Sequence, residues 1–238
     1  MAAGFCRLEE TVSTNLWLRE HGGQQDMVVW ADYQTGGRGC GTNTWESERG
    51  QNLLFSMLFH PCQVPAAQQF SISMKVALAV SDTLEKMGLE GISLKWPNDI
   101  YWRDRKLAGI LIENTLRGGL IAQSIIGIGL NVNQQQFRSD APNPVSIRQI
   151  TGVEHDRQRL LENIVRTMET RLQSDEDPTT DYNHRLYRRE GVHLYRDAKG
   201  CFEAEIAEVK PDGTLVLRDT NRQLHAYAFK EVSFVITI

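Results

Sequence analysis

Apolar residues along this chain recur with two periods, and the switches between them mark out its elements. A short strand over residues 5–9 leads into Ser13-Thr14-Asn15, a helix start, and the helix through Leu16-Trp17-Leu18 stops at Gly22-Gly23. Residues 27–33 read as a strand, followed by Gln34-Thr35-Gly36-Gly37-Arg38-Gly39-Cys40-Gly41 and a second apolar run, Leu53–Phe59. Pro65 suits the first turn of a long helix over 66–87, where Phe70, Met74, Ala77, Leu78, Leu84 and Met87 fall at helical spacing and Gly88 is the stop. Strands are predicted over 92–96 and 100–102, then 107–113 and 120–130, the last two joined as a hairpin across Gly118-Gly119. Helices over 157–172 and 179–189 follow, with Asp177-Pro178 as the turn between them. From Gly191 onward only short β runs remain, 201–210, 214–218, 223–229 and 232–236, with Pro211-Asp212-Gly213 as a turn. That is the pattern of a small barrel of about fifty residues, too small to be very stable alone and expected to pack on the larger part.

Composition narrows the class. With 238 residues, 41% hydrophobic and 24% charged, the chain suits a soluble globular protein of one large domain, or of one main domain with a small appendage. A net charge of −4 argues against a general nucleic-acid binder, yet leaves room for a small anion in a locally positive pocket. No apolar stretch is long enough to span a membrane, and the first residues lack the design of a signal peptide. Cys6, Cys40, Cys62 and Cys201 are scattered and the six histidines show no ligand spacing, which predicts free thiols in a cytoplasmic protein and no zinc site.

Three blocks carry the chemistry. Four glycines around Arg38 suit a backbone wrapped about a phosphate or carboxylate, or equally a mobile surface loop. Lys95-Trp96-Pro97-Asn98-Asp99 bends at its proline, so Asn98 and Asp99 face either a ligand or solvent, and Lys106 opens the strand behind them. Gly127-Ile128-Gly129-Leu130-Asn131 ends the longest apolar strand with room for a ligand against the backbone, or marks a bulge.

Taken together the blocks resemble the biotin–protein ligases, whose superfamily includes the lipoate–protein ligases. The resemblance spans residues 13–131 and rests on Ser13-Thr14-Asn15, Gln34 with Gly37-Arg38-Gly39 and Trp45, Lys95-Trp96-Pro97-Asn98-Asp99, Lys106-Leu107-Ala108-Gly109-Ile110-Leu111, and Gly127-x-Gly129-x-Asn131. It implies an α+β fold: a class II aminoacyl-tRNA synthetase/biotin ligase-like mixed sheet flanked by helices over 1–190, plus a small C-terminal SH3-like β barrel over 191–238. It implies activation of biotin by ATP to biotinyl-5′-adenylate, then transfer to a lysine of a carboxylase's biotin carboxyl carrier domain. Biotin would meet Ser13, Thr14, Asn15, Gln34, Gly37, Arg38, Gly39, Lys106 and Gly109. The nucleotide would meet Arg38, Trp45, Lys95, Asn98 and Asn131. Arg38, Lys106 and Asp99 are the expected catalytic residues, with Asp99 orienting or deprotonating the acceptor lysine. Mg²⁺ is expected on the nucleotide's phosphates rather than in a protein cage.

The glycine loop is expected to order over the ligands and shield the acyl phosphate from water. Two departures stand out. Many members carry a second arginine where this chain has Cys40, so Asn43 or backbone groups would take over its contacts. The chain opens directly on the catalytic part, so a DNA-binding domain, and with it DNA-linked regulation, is not expected. Both a monomer and a homodimer fit. A lipoate or octanoate ligase and a non-catalytic vitamin- or nucleotide-binding module are the competing readings, separated by biotin-dependent ATP–pyrophosphate exchange.

Overall fold

The computed structural model describes residues 4–41, 43–138 and 143–236. Strands β1 (Gly4–Leu8), β2 (Met27–Ala31), β3 (Leu53–Phe59), β4 (Ile92–Lys95), β5 (Asp99–Trp102), β6 (Arg105–Arg117) and β7 (Leu120–Leu130) form one mixed sheet. Its order is β1-β2-β3-β7-β6-β5-β4, with β1 parallel to β2 and every other pairing antiparallel. Helix α1 (Thr14–His21) crosses from β1 to β2, and α2 (Gln69–Lys86) joins β3 to β4. Beyond β7 lie α3 (Ile147–Thr151), α4 (Arg157–Gln173) and α5 (Thr179–His184).

The two sheet faces are covered unequally, and that asymmetry makes the site. Alternating residues of the central strands, among them Val28, Phe55, Met57, Ile126 and Ile128, join Met74, Leu78, Leu161, Ile164 and Met168 of α2 and α4 in the main core. The opposite face, at Val29, Leu58 and Ile125, meets only Leu18 of α1 and a few neighbours. One short helix cannot cover that face, and the rest of it becomes the floor of a cavity.

Strands β8 (His193–Asp197), β9 (Gly200–Val209), β10 (Leu215–Asp219), β11 (Leu224–Tyr227) and β12 (Ser233–Phe234) make a second, antiparallel sheet in the order β11-β10-β9-β8-β12. Among the described residues no ladder joins its edge strands β11 and β12, so the small barrel expected from sequence is seen as a five-stranded sheet. It is seated on the first unit through shared core residues such as Tyr195, Ile206 and Leu215. Trp96 Nε1 also donates to Gly213 O at 2.9 Å, and Asn183 bonds both polar backbone groups of Val209.

Several boundaries depart from the sequence pattern for identifiable reasons. The long helix begins with a 3₁₀ turn at Ala66–Gln68 before α2 proper. The helix expected over 179–189 stops at His184, because Arg185 O and Tyr187 N bond the backbone of Leu94 and draw the chain along the edge of β4. Helix α3 was not expected, although its capping box is written as Ser146-x-x-Gln149: Ser146 Oγ accepts from Gln149 N, and Gln149 Oε1 from Ser146 N. Strand β8 was not expected either.

Candidate functional site

Register across the sheet lines up the chemistry. Lys95 pairs with Asp99, Asp99 with Gly109, Gly109 with Gly129 and Gly129 with Leu54, one transverse row whose side chains share a face. The next row is Val29–Ser56–Gly127–Leu111. A register shift between Ile100 and Tyr101 sets Tyr101 opposite Lys106, so Leu107 is the extra residue of a bulge. Lys106 is thereby turned onto the same face as Gly109. A regular strand would have sent it to the other side.

Above these rows lies a cavity of about 450 Å³. Of the residues assigned from sequence, Ser13, Thr14, Asn15, Gln34, Arg38, Gly39, Trp45, Lys95, Asn98, Asp99, Lys106 and Gly109 line it. Gly37 and Asn131 do not. Gly37 instead closes the loop's hairpin: its carbonyl accepts from Trp45 N at 3.0 Å, and a Cβ there would meet Trp45 O at 2.6 Å. Asn131 is buried behind the floor, its Nδ2 donating to Val145 O at 3.1 Å and its Oδ1 buried without a partner among the described residues.

The wall at α1 is organised around the helix N-terminus. Ser13 holds the N-cap position, yet its hydroxyl makes no capping bond. Gln34 Oε1 caps the helix in its place, accepting from Thr14 N at 2.7 Å and Thr14 Oγ1 at 3.1 Å. The Ser13 hydroxyl is therefore left to the cavity. Beneath it Ser56 Oγ lies 2.7 Å from Thr14 Oγ1 and 2.6 Å from Asn15 Oδ1, while Asn15 Nδ2 donates to Leu111 O and Glu113 Oε2. This closed network fixes the first turn of α1 against β3 and β6.

Charge is concentrated at the opposite wall. Lys106 Nζ lies 2.7 Å from Asp99 Oδ1, and Lys95 Nζ lies 3.9 Å from Asp99 Oδ2. Burial pushes the Lys95 ammonium below the ordinary lysine range; Asp99 opposes that shift, while Lys106 and Arg188 add to it. Asn98 ties the turn to β6, its Nδ2 donating to Ile110 O and its carbonyl accepting from Ile110 N, both at 2.8 Å. Arg38 projects from the glycine loop, half exposed, with a terminal nitrogen 3.8 Å from Glu113 Oε1.

Trp45 lies flat on the glycine floor. A Cβ at Gly129 would come 2.4 Å from its ring and one at Gly109 2.9 Å, so only glycine at these facing positions admits the indole. Lys106 Nζ stands 5.6 Å from the ring centroid, and the indole N–H is buried with no acceptor among the described residues. The arrangement offers a trough with hydrogen-bonding groups at one end, cations at the other and an aromatic cover. Such a trough suits an elongated ligand that is polar at its head and anionic at its tail.

Sequence reasoning gave no role to Ser56, Glu113 or the second sheet. Ser56 sits in an apolar run with nothing to single it out. Phe229, Lys230, Val232, Ser233 and Phe234 reach the cavity through tertiary packing alone. Glu113 ends the lysine-led block and is the one carboxylate of β6, a signal that could have been followed. Among the described residues no helix is long and apolar enough to cross a membrane, and no three His, Cys, Asp or Glu side chains converge as a metal site.

Comparison with known proteins is consistent across sequence and fold. Residues 4–131 match the model of the biotin/lipoate A/B protein ligase family. The bifunctional ligase/repressor BirA of Escherichia coli is 36% identical over 187 residues, covering 77% of this chain and 54% of that protein. The biotin–[acetyl-CoA-carboxylase] ligase of Mycobacterium tuberculosis is 31% identical over 151 residues, covering 61% and 54%. The chain thus spans about half the length of these curated relatives. The biotin protein ligase of Aquifex aeolicus, solved with biotin and ATP, superposes with a TM-score of 0.81 at 24% identity over 98% of this chain and 99% of that one, a likeness of fold.

Proposed function

The chain belongs to the biotin/lipoate A/B protein ligase family, and from that premise we propose that it activates biotin with ATP and passes the biotinyl group to a lysine of a biotin carboxyl carrier domain. The observation that carries this reading is the transverse row Gly129–Gly109–Asp99–Lys95, with Lys106 turned beside it. A bare floor for an acyl chain leads there directly to paired cations.

In the first step a carboxylate oxygen of biotin bonds to the α-phosphorus of ATP, and pyrophosphate leaves with the electron pair of the broken P–O bond. Two anions must approach each other, so fixed positive charge lowers the barrier. Lys106, Lys95 and Arg38 line the same cavity and would supply that charge. Biotin's ureido group would lie at the α1 wall, against the uncommitted Ser13 hydroxyl and the amide of Gln34, with Thr14 and Asn15 positioning these groups. Gly37 and Asn131 would act from behind, through the loop hairpin and the floor, and Trp45 would cover the ligands. Because Asp99, the one carboxylate lining the cavity among the described residues, is engaged by two lysines, Mg²⁺ would enter on the nucleotide's phosphates.

In the second step the acceptor amine, having lost its proton, attacks the acyl carbon and AMP departs with the C–O bonding pair. Asp99 would orient that amine. Its Oδ1 and Oδ2 already face the ammonium groups of Lys106 and Lys95, a geometry that suits holding a further amine in place. Four unpaired cysteines suit a reducing cytoplasm.

ATP–pyrophosphate exchange is the test. It should require biotin, not respond to lipoate, and vanish in Lys106→Ala. Exchange with lipoate alone, or none with either acid, would overturn the reading. Normal exchange in the variant would take Lys106 out of the site.

A further inference from the structure

Four cations line the cavity: Arg38, Lys95, Lys106 and Lys230. The first three each have a carboxylate within 4 Å, Glu113 for Arg38 and Asp99 for both lysines. Among the described residues no carboxylate lies that close to the Lys230 ammonium. Lys230 also comes from elsewhere, the loop between β11 and β12 of the second sheet. That loop returns the chain over the mouth of the cavity, where Phe229, Val232, Ser233 and Phe234 also face in.

Lys230 meets the glycine loop itself. A Cβ on Gly41 would fall 2.5 Å from Lys230 Nζ and 3.2 Å from its Cε, so the ammonium rests directly on the backbone of Gly41. Gly41 has φ +72, and its lack of a side chain is what admits the lysine. Lys230 itself has φ +70, a conformation unfavourable for a non-glycine residue that survives where the surroundings impose it. Cys40, which precedes Gly41 in the loop, cannot carry positive charge, so Lys230 is the cation that reaches this part of the loop.

We propose that Lys230 binds the leaving pyrophosphate portion of ATP, making the phosphate subsite a joint product of the glycine loop and the second sheet. The inference rests on the ligase reading above. A terminal phosphate pair carries more negative charge than Lys106 and Arg38 can meet while Asp99 and Glu113 hold them. The Lys230 ammonium, which stands 5.6 Å from the Phe229 ring centroid and has no carboxylate within 4 Å among the described residues, supplies the missing cation. It also binds the two units together when the nucleotide is present. On the reading above the ureido head is assigned to Ser13 and Gln34, so Lys230 would serve the nucleotide and not biotin.

The test uses Lys230→Ala and Lys230→Arg in the full chain. In biotin-dependent ATP–pyrophosphate exchange, Lys230→Ala should raise KM for both ATP and pyrophosphate about tenfold, the size of one charge-assisted hydrogen bond. KM for biotin should stay within about twofold, transfer from preformed biotinyl-adenylate should not change, and Lys230→Arg should restore both raised constants. Unchanged ATP and pyrophosphate constants in Lys230→Ala would overturn the proposal. So would an equal rise for biotin, which would mark a merely structural role. Calorimetric titration with pyrophosphate separates this from the ligase reading, since it needs no turnover. Should the wild type show no exchange, the ligase reading fails alone, and equal pyrophosphate binding by wild type and Lys230→Ala would sink the Lys230 assignment as well.

Discussion

Gly127→Ala should destabilise the protein by about 3 kcal/mol although it adds a single methyl group. Gly127 has no positive φ, so the backbone itself would accept alanine. The obstacle is Asn15: the new Cβ would lie 2.2 Å from its Oδ1 and 2.9 Å from its Cγ. A free side chain would swing aside, but Asn15 is 3% exposed and held at both ends. Ser56 Oγ donates to its Oδ1 at 2.6 Å, and its Nδ2 donates to Leu111 O at 3.3 Å and Glu113 Oε2 at 2.9 Å. Giving up these bonds costs about 1 kcal/mol each, and overpacking instead costs about 1–3 kcal/mol, so either route leads to roughly the same figure. Urea unfolding of Gly127→Ala, Asn15→Ala and the double variant measures it. Once Asn15 is truncated the methyl has room, so the double variant should be hardly less stable than Asn15→Ala, a coupling of about 3 kcal/mol. Additive losses, or a Gly127→Ala protein within about 0.5 kcal/mol of wild type, would refute the reasoning.

Gly129→Ala should impair exchange more than Gly109→Ala, because its methyl reaches 2.4 Å from the middle of the Trp45 ring system against 2.9 Å from the benzo edge; the reverse order would remove Trp45 from its seat on the floor. Asp32 accepts from Arg7 and Arg157, both at 2.9 Å, and although burial pushes its pKa up, these bonds outweigh burial and hold it below the ordinary carboxylate range. Its stabilisation is therefore full above the unfolded value and lost as pH falls through the folded one. Asp32→Asn should cost about 2 kcal/mol at neutral pH, and urea unfolding should find that gap closing as pH falls below the ordinary carboxylate range; a gap independent of pH would contradict the ion-pair account. Biotin with ATP should slow proteolysis within residues 36–44, and equal cleavage with and without them would count against a closing loop.

Much of this architecture is legible in the chain. The β6–β7 hairpin follows from two long apolar runs around Gly118-Gly119, and β3 appears where its seven buried residues form an apolar stretch broken only by Ser56. Local chemistry determines such features, so local sequence reports them. Strand β8 stayed hidden because its burial alternates weakly, with only Tyr195 buried among its five residues. The early end of α5 depends on an edge of β4 that no neighbouring residue announces.

For the site, the sequence by itself determined which residue types are present and in what order: a glycine-ringed arginine, a lysine–aspartate turn, a lysine-led strand and two spaced glycines. Their mutual distances were decided in three dimensions. Pairing register, which no residue encodes alone, put Lys95, Asp99, Gly109 and Gly129 in one row. The bulge at Leu107 turned Lys106 into it, because one extra residue inverts the face a strand presents. Seating of the second sheet brought Lys230 to the mouth from more than a hundred residues away in the chain. Periodicity and propensity act over a few neighbours, whereas the charge balance of a cavity is a sum over everything that folding brings to its walls.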